Sequence, residues 1–175
     1  MNSENIRSDY RKDIFDLVKQ FREQQKDFIV ELENDDNYGN SFEAFCAHDI
    51  YGPYLNIEDD IESCYDLNSK GERNVDIIFK KDNECHIFEC KWRNSEKGAF
   101  DKNWINLVEE TATWINDRTK IQGFPEYAKD KLIDFINSRS NQKELHVYLL
   151  TNTNVNDELR EDFKKRTDKL SQEFT

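Results

Sequence analysis

The sequence predicts an α/β fold in which helices flank a mixed central sheet. Three observations predict it. Two apolar runs, "NVDIIFK" and "ECHIFECKW", read as strands joined by the turn signal "KDN", the pattern of a hairpin. Stretches before and after them repeat their apolar residues at threes and fours, the period of an amphipathic helix. A further apolar strand, "ELHVYLLT", returns only after two such helical stretches.

From Ser3 to about Leu32 there is no Gly or Pro, and Ile6, Tyr10, Ile14, Leu17, Phe21, Phe28 and Leu32 make one stripe of a long helix. "NDDNYGNS" breaks it. A second helix is expected to begin near Asn40 or Ser41 and to carry "FEAFCAHDIY" until "GP" stops it. "DIESCYDLNS" reads as a first strand ahead of the hairpin. Helical spacing resumes in "FDKNWINLVEETATWIND", with Trp104, Leu107, Val108, Ala112 and Ile115 on one face. "FPEYAKDKLIDFINSR" is another helix with Pro125 near its first turn, and "NDELREDFKKRTDKLSQEF" is a last one. No repeat, low-complexity tract or linker interrupts the chain. A single domain over 1–175 is expected, with a helical extension at 1–35, a core at 40–151 and a C-terminal helix at 155–175.

A chain of 175 residues, 13% of them aromatic, can bury one proper core despite 35% charged residues. No apolar run approaches the roughly 20 residues of a membrane span, and "MNSENIRSDYRKD" lacks the apolar segment of a secretory signal, so a cytoplasmic protein is expected. Cys46, Cys64, Cys85 and Cys90 are irregularly spaced within or beside apolar runs and include no C-x-x-C pair. Buried free thiols are expected rather than a zinc site. The net charge of −12 opposes nucleic-acid binding by a broad basic surface. The acidity is uneven: Lys70 to Lys102 nets +1, and the remainder nets −13.

That least acidic segment holds the chemistry. Asp76, Glu89 and Lys91 interrupt runs otherwise bound for a core. Strand alternation puts Glu89 and Lys91 on one face and Phe88, Cys90 and Trp92 on the other, while a hairpin turned at 81–84 brings Asp76 beside the pair. Two carboxylates converging at a strand end make a hard oxygen site suited to Mg2+ or Mn2+. A neighbouring lysine can stabilise developing negative charge or help activate a water, an arrangement suited to phosphodiester hydrolysis.

At these residues the sequence resembles the PD-(D/E)xK nuclease superfamily, which includes restriction endonucleases and Holliday-junction resolvases. "VDIIF" followed by "IFECKW" is similar to its D…E-x-K core, although Val75 stands where a proline is usual. "GNSFEAF", with Gly39, Phe42 and Glu43, is similar to the start of the first core helix in the Mrr-like and resolvase-like branches. "SKGERNVDIIF" is similar to their glycine-containing approach to the first aspartate. The resemblance implies an αβββαβ core over residues 41 to about 151 and leaves both terminal helices unexplained. It implies that Asp76 and Glu89 ligate Mg2+ or Mn2+, that the Cys90 backbone carbonyl is a further ligand, and that Lys91 is the catalytic lysine. Glu43 would be an auxiliary carboxylate, reaching the metal directly or through water.

Bland alternatives stand beside each assignment. Asp76, Glu89 and Lys91 could be a cross-paired solvated face of an edge strand. Asn40 as N-cap with Glu43 three residues on is a capping box, and both roles could hold for Glu43. His48 suits packing or the surface better than a ligand role. Lys80, Arg93, Lys97 and Lys102 flank the site and either touch phosphates or form a solvated face. Trp92 and Trp104 read as core. The expected activity is metal-dependent DNA cleavage, by an endonuclease of restriction or antiphage defence. The alternative is a non-cutting nuclease-like subunit that binds a helicase, an ATPase or another protein. With so little basic surface, a protein partner or a second copy is expected to supply DNA affinity, and Leu159, Phe163, Leu170 and Phe174 offer one stripe for docking or for closing the core.

Overall fold

The computed structural model describes residues 3–34, 38–56, 61–68, 75–94, 99–138 and 143–173. Gly71, Lys97 and Phe174, with the side chains of Ile6, Tyr10 and Leu170, lie outside the described residues. Helix α1 (Ser3–Gln25) leads through a 3-10 turn (Val30–Asn34) to α2 (Gly39–Phe45), a π-helical stretch (Cys46–Tyr51) and the one-turn α3 (Gly52–Tyr54). A 3-10 turn (Ile61–Cys64) precedes strands β1 (Ile77–Lys81) and β2 (Glu84–Lys91). Helices α4 (Asn103–Asn116) and α5 (Glu126–Asn137), strand β3 (Glu144–Thr151) and helix α6 (Asp157–Glu173) follow.

Strand β2 is the centre of a three-stranded mixed sheet of order β1-β2-β3. Asp82, with φ 50, and Asn83 turn β1 back onto β2, antiparallel, with Ile77 opposite Phe88. β3 lies parallel to β2, with His86 opposite His146 and Lys91 opposite Thr151. The connection through α4 and α5 makes that parallel return possible. Each sheet face has its own core. Phe79, Phe88, Cys90 and Trp92 pack with Val18, Phe21, Phe42 and Phe45 of α1 and α2. Ile78, Cys85 and Ile87 pack with Ile115 of α4 and Leu132 and Phe135 of α5. Among the described residues no helix is long and apolar enough to cross a membrane.

Four expectations need correcting. The first expected strand, "DIESCYDLNS", is a 3-10 turn with a lone antiparallel bridge from Tyr65 to Ile77. Asp66 Oδ1 accepts from the Asn68 amide at 3.0 Å, a local turn that competes with further pairing. The long first helix ends at Gln25, and the turn that follows buries Ile29 and Leu32 while leaving Phe28 79% exposed. "GP" does not stop the second helix, because the π-helical stretch carries the chain through Gly52 and Pro53 to Tyr54. Helix α2 begins at Gly39 behind a left-handed Tyr38 (φ 59) and no side chain caps it, so Asn40 and Glu43 do not form a capping box.

The cysteines are free thiols, with Cys46, Cys64 and Cys85 buried and Cys90 half-buried. Burial pushes the Cys85 thiol up to about 12. At the C-terminal end, Asn156 caps α6 by accepting from the Leu159 amide at 2.8 Å. Leu159 and Phe163 line a hollow of about 250 Å³ against Phe100 and Leu149. Arg166 joins α6 to α4 through Glu109 at 3.0 Å. The first turns of α6 thus pack on the domain itself.

Candidate functional site

The hairpin brings Asp76, Glu89 and Lys91 together at the C-terminal end of β2. Asp76 sits one residue before β1, and its amide still donates to the Phe88 carbonyl at 3.2 Å, so the ladder extends to it. Its backbone is fixed from α5, where the Tyr127 hydroxyl donates to the Val75 carbonyl and lies 3.5 Å from the Asp76 carbonyl. Asp76 Oδ2 accepts from the Cys90 amide at 2.5 Å and from Lys91 Nζ at 3.0 Å. Lys91 Nζ also donates to Glu89 Oε2 and to the Cys90 carbonyl, each at 3.2 Å.

Glu89 is only 3% exposed, and such a carboxylate needs donors. Lys91 is one donor and α4 brings another: Thr111 Oγ1 lies 2.9 Å from Glu89 Oε1 and also 2.9 Å from the Leu107 carbonyl. Thr111 is fully buried on the stripe of α4 that carries Trp104, Val108 and Ile115. Sequence reading passed over Thr111 and Tyr127. The available signal was a hydroxyl residue on an otherwise apolar stripe, and one such residue in each of two helices.

Electrostatics tie Glu43 to the same cluster. Burial first, and then the Asp76 carboxylate, push its carboxyl well above the ordinary range, against the pull of Lys91. Burial works against the Lys91 ammonium, yet Asp76 and Glu89 outweigh it and hold Lys91 above the ordinary lysine range. The Cys90 thiol is raised by burial and by the adjacent Cys46, so its sulfur is neutral packing, while its backbone amide and carbonyl face Asp76 and Lys91.

Three of the donors assigned by resemblance to a divalent cation, Asp76, Glu89 and the Cys90 carbonyl, therefore converge on one atom, Lys91 Nζ. Carboxylate and carbonyl oxygens suit Mg2+ or Mn2+, so the donor set fits that ion, in competition with the ammonium. Asp76, Glu89 and the Cys90 carbonyl are the groups that would hold it, with Glu43 within electrostatic reach.

The flanking cations divide. Lys80 is not at the site: it pairs with Asp134 of α5 at 2.7 Å. Arg93 follows β2, stacks over Trp104 at 4.8 Å and lies 3.8 Å from Asp101. Its backbone is clamped by Asn152, which accepts from the Arg93 amide and donates to its carbonyl, both at 2.8 Å. Arg93, Asn94 and Asn152 share a hollow of about 220 Å³ with Arg11 and Lys12 of α1. The N-terminal helix therefore brings basic side chains to this end of the sheet. Lys102 is exposed, ahead of α4. His48 is a packing residue, 2.9 Å from the Tyr65 hydroxyl and against the Phe21 ring. Trp92 stacks on Phe15 and meets Phe42, half-buried and packed against the core. No family model matches the chain, and no match is found among curated proteins or solved structures, so the functional reading rests on this geometry.

Proposed function

We propose that this chain is a metal-dependent nuclease of the PD-(D/E)xK kind, with an αβββαβ-like core whose first strand is reduced to the Tyr65 bridge. The carrying observation is the convergence of Asp76 Oδ2, Glu89 Oε2 and the Cys90 carbonyl around Lys91 Nζ. Hard oxygens beside an ammonium suit phosphodiester hydrolysis. When bound there, Mg2+ or Mn2+ would supply Lewis-acid polarisation of a phosphoryl oxygen and a more acidic water. The chain's own residues hold and orient the site. Asp76 is fixed by the Cys90 amide and Glu89 by Thr111, while Lys91 keeps a positive charge where negative charge develops. Arg93, Arg11 and Lys12 offer phosphate contacts beside it. DNA is the proposed substrate, and restriction or antiphage defence the proposed setting.

The test is cleavage of plasmid, single-stranded DNA and RNA with Mg2+, Mn2+ or EDTA. Asp76→Ala, Glu89→Ala and Lys91→Ala should each abolish metal-dependent cutting of DNA. Undiminished cutting by folded Glu89→Ala protein removes the assignment. One observation favours a second reading, a non-cutting subunit that binds another protein. Lys91 already pairs with both carboxylates, as in a purely structural ion-pair network. Absence of any heat of Mg2+ binding at millimolar concentration would select that reading.

A further inference from the structure

We propose that Glu84, His86 and His146 form a second metal site, one that takes Zn2+ in preference to Mg2+, at the opposite end of β2 from Asp76. The sheet register builds it. Parallel pairing sets His86 opposite His146 and Glu84 opposite Glu144. Alternation then places all four on the sheet face of Phe88, away from the face of Glu89 and Lys91. The two imidazoles stack with centroids 4.5 Å apart and planes 11° from parallel. One ligand atom from each of Glu84, His86 and His146 lies within 4.8 Å of the others.

The details suit a transition metal. His86 is 4% exposed, so its position is fixed by packing. Tyr148, one position further along the same face of β3, has its hydroxyl 3.1 Å from His86 Nδ1. That contact orients the ring so that Nε2 meets Glu84 Oε2 at 3.0 Å, as an outer partner does for a metal-bound histidine. Zinc ligands at about 2.0–2.2 Å in a tetrahedron sit about 3.4 Å apart. Closing from 4.8 Å calls for side-chain rotation by the exposed Glu84 and the half-exposed His146. Two imidazoles with one carboxylate favour Zn2+ over Mg2+, which prefers an all-oxygen shell. Asp82 and Glu144 also line the hollow, about 430 Å³ in volume, and add negative potential. Three protein ligands leave a coordination position open toward that hollow, where water or an anionic group would bind.

The site makes no use of Asp76, Glu89 or Lys91, so it stands or falls separately from the proposed nuclease activity. The test titrates Zn2+ into the metal-free full chain by calorimetry and in competition with a chromophoric chelator. Co2+ serves as a visible-absorption probe of nitrogen ligation. The expected result is a single Zn2+ bound, a higher melting temperature and no displacement by excess Mg2+. His146→Ala and Glu84→Gln, both at solvent-facing side chains, should each weaken binding by more than the roughly 10–100-fold typical of losing an outer partner. Asp76→Asn should leave it unchanged. No Zn2+ binding, or binding that both His146→Ala and Glu84→Gln leave intact, overturns the proposal. Loss of binding in Asp76→Asn alone would do the same.

Discussion

Lys91 and Asp76 form the tightest charged contact of the acidic cluster, with Nζ donating to Oδ2 at 3.0 Å between side chains 21% and 18% exposed. The same ammonium serves Glu89, whose side chain is 4% exposed. Removing it leaves two largely buried carboxylates facing one another. Lys91→Met keeps most of the stem and deletes the charge, and in EDTA it should cost on the order of 3 kcal/mol at neutral pH. That is a fall of about 6–12 °C in melting temperature for a chain of this size. Mg2+ should then restore more stability to the variant than it adds to the parent, because the vacated oxygens are open to a cation. Thermal scans in EDTA and in millimolar Mg2+ check this. A variant as stable as the parent and indifferent to Mg2+ contradicts it.

In the proposed nuclease site Thr111 is a positioning residue, acting through Glu89 Oε1 at 2.9 Å. Thr111→Val preserves shape and removes the hydroxyl, so Glu89 Oε1 loses that donor at a buried site. The stability loss should be about 1–3 kcal/mol. Cleavage should fall about tenfold through kcat, as expected when a metal-holding carboxylate is left free to turn. Thr111→Ser should recover most of the activity. Equal activity in Val and parent proteins would reduce Thr111 to a packing residue.

Glu43 gives a pH signature. Its carboxyl is raised from 4.5 by burial and by Asp76, so the folded state binds that proton more tightly than the unfolded chain does. The resulting stability is fully present below 4.5 and is lost as pH rises through the raised folded value. In EDTA, Glu43→Gln should therefore match the parent in acid and exceed it near neutral pH. Each tenfold gain in proton affinity corresponds to about 1.4 kcal/mol. Cleavage by the same variant should fall. Stability gained with activity lost marks a site residue; a variant destabilised at every pH would instead mark a structural one.

Gly52 is where the π-helical stretch meets α3, and a Cβ there would lie 2.7 Å from the Ala47 carbonyl oxygen and 2.7 Å from Ile61 Cδ1. The isoleucine can rotate, but the backbone oxygen cannot move without disturbing the helix. Gly52→Ala should cost roughly 1–3 kcal/mol, the range of overpacking, read from denaturant unfolding. An unchanged midpoint would show that this backbone is softer than its contacts imply.

The hairpin, the late strand and the helices around it were legible because their apolar periods are long and unmixed. So was the meeting of Asp76, Glu89 and Lys91, which needs only strand alternation and a short turn. What escaped depends on contacts distant in sequence. Tyr65 looks like a strand residue, yet only its bridge to Ile77 survives the Asp66 turn. Asn40 and Glu43 have the spacing of a cap, but the helix starts earlier, behind a left-handed Tyr38 that no propensity favours. Thr111 and Tyr127 acquire their roles only when α4 and α5 fold back on β1 and β2. His86 and His146 lie far apart in the chain, and the parallel register alone makes them neighbours.

The last prediction concerns substrate affinity. With a net charge of −12, the protein has few cations to spare for phosphate, and several near the sheet are already engaged. Lys80 pairs with Asp134 at 2.7 Å, Lys129 with Glu126 at 2.6 Å and Arg166 with Glu109 at 3.0 Å. The hollow lined by Arg11, Lys12 and Arg93 is the proposed phosphate contact, with Asp16 on its wall and Asp101 3.8 Å from Arg93. If about two or three phosphates are neutralised, log K against log salt should have a slope of about −2 to −3, shallow for a DNA-binding protein. Catalysis-blocked Glu89→Ala protein should then bind duplex DNA more weakly than roughly micromolar at about 150 mM salt, where screening is already strong. A second copy or a partner bearing positive charge should raise both affinity and slope. Sub-micromolar binding by the monomer at that salt would show that the acidic surface lies clear of the DNA path, and that this domain holds its substrate alone.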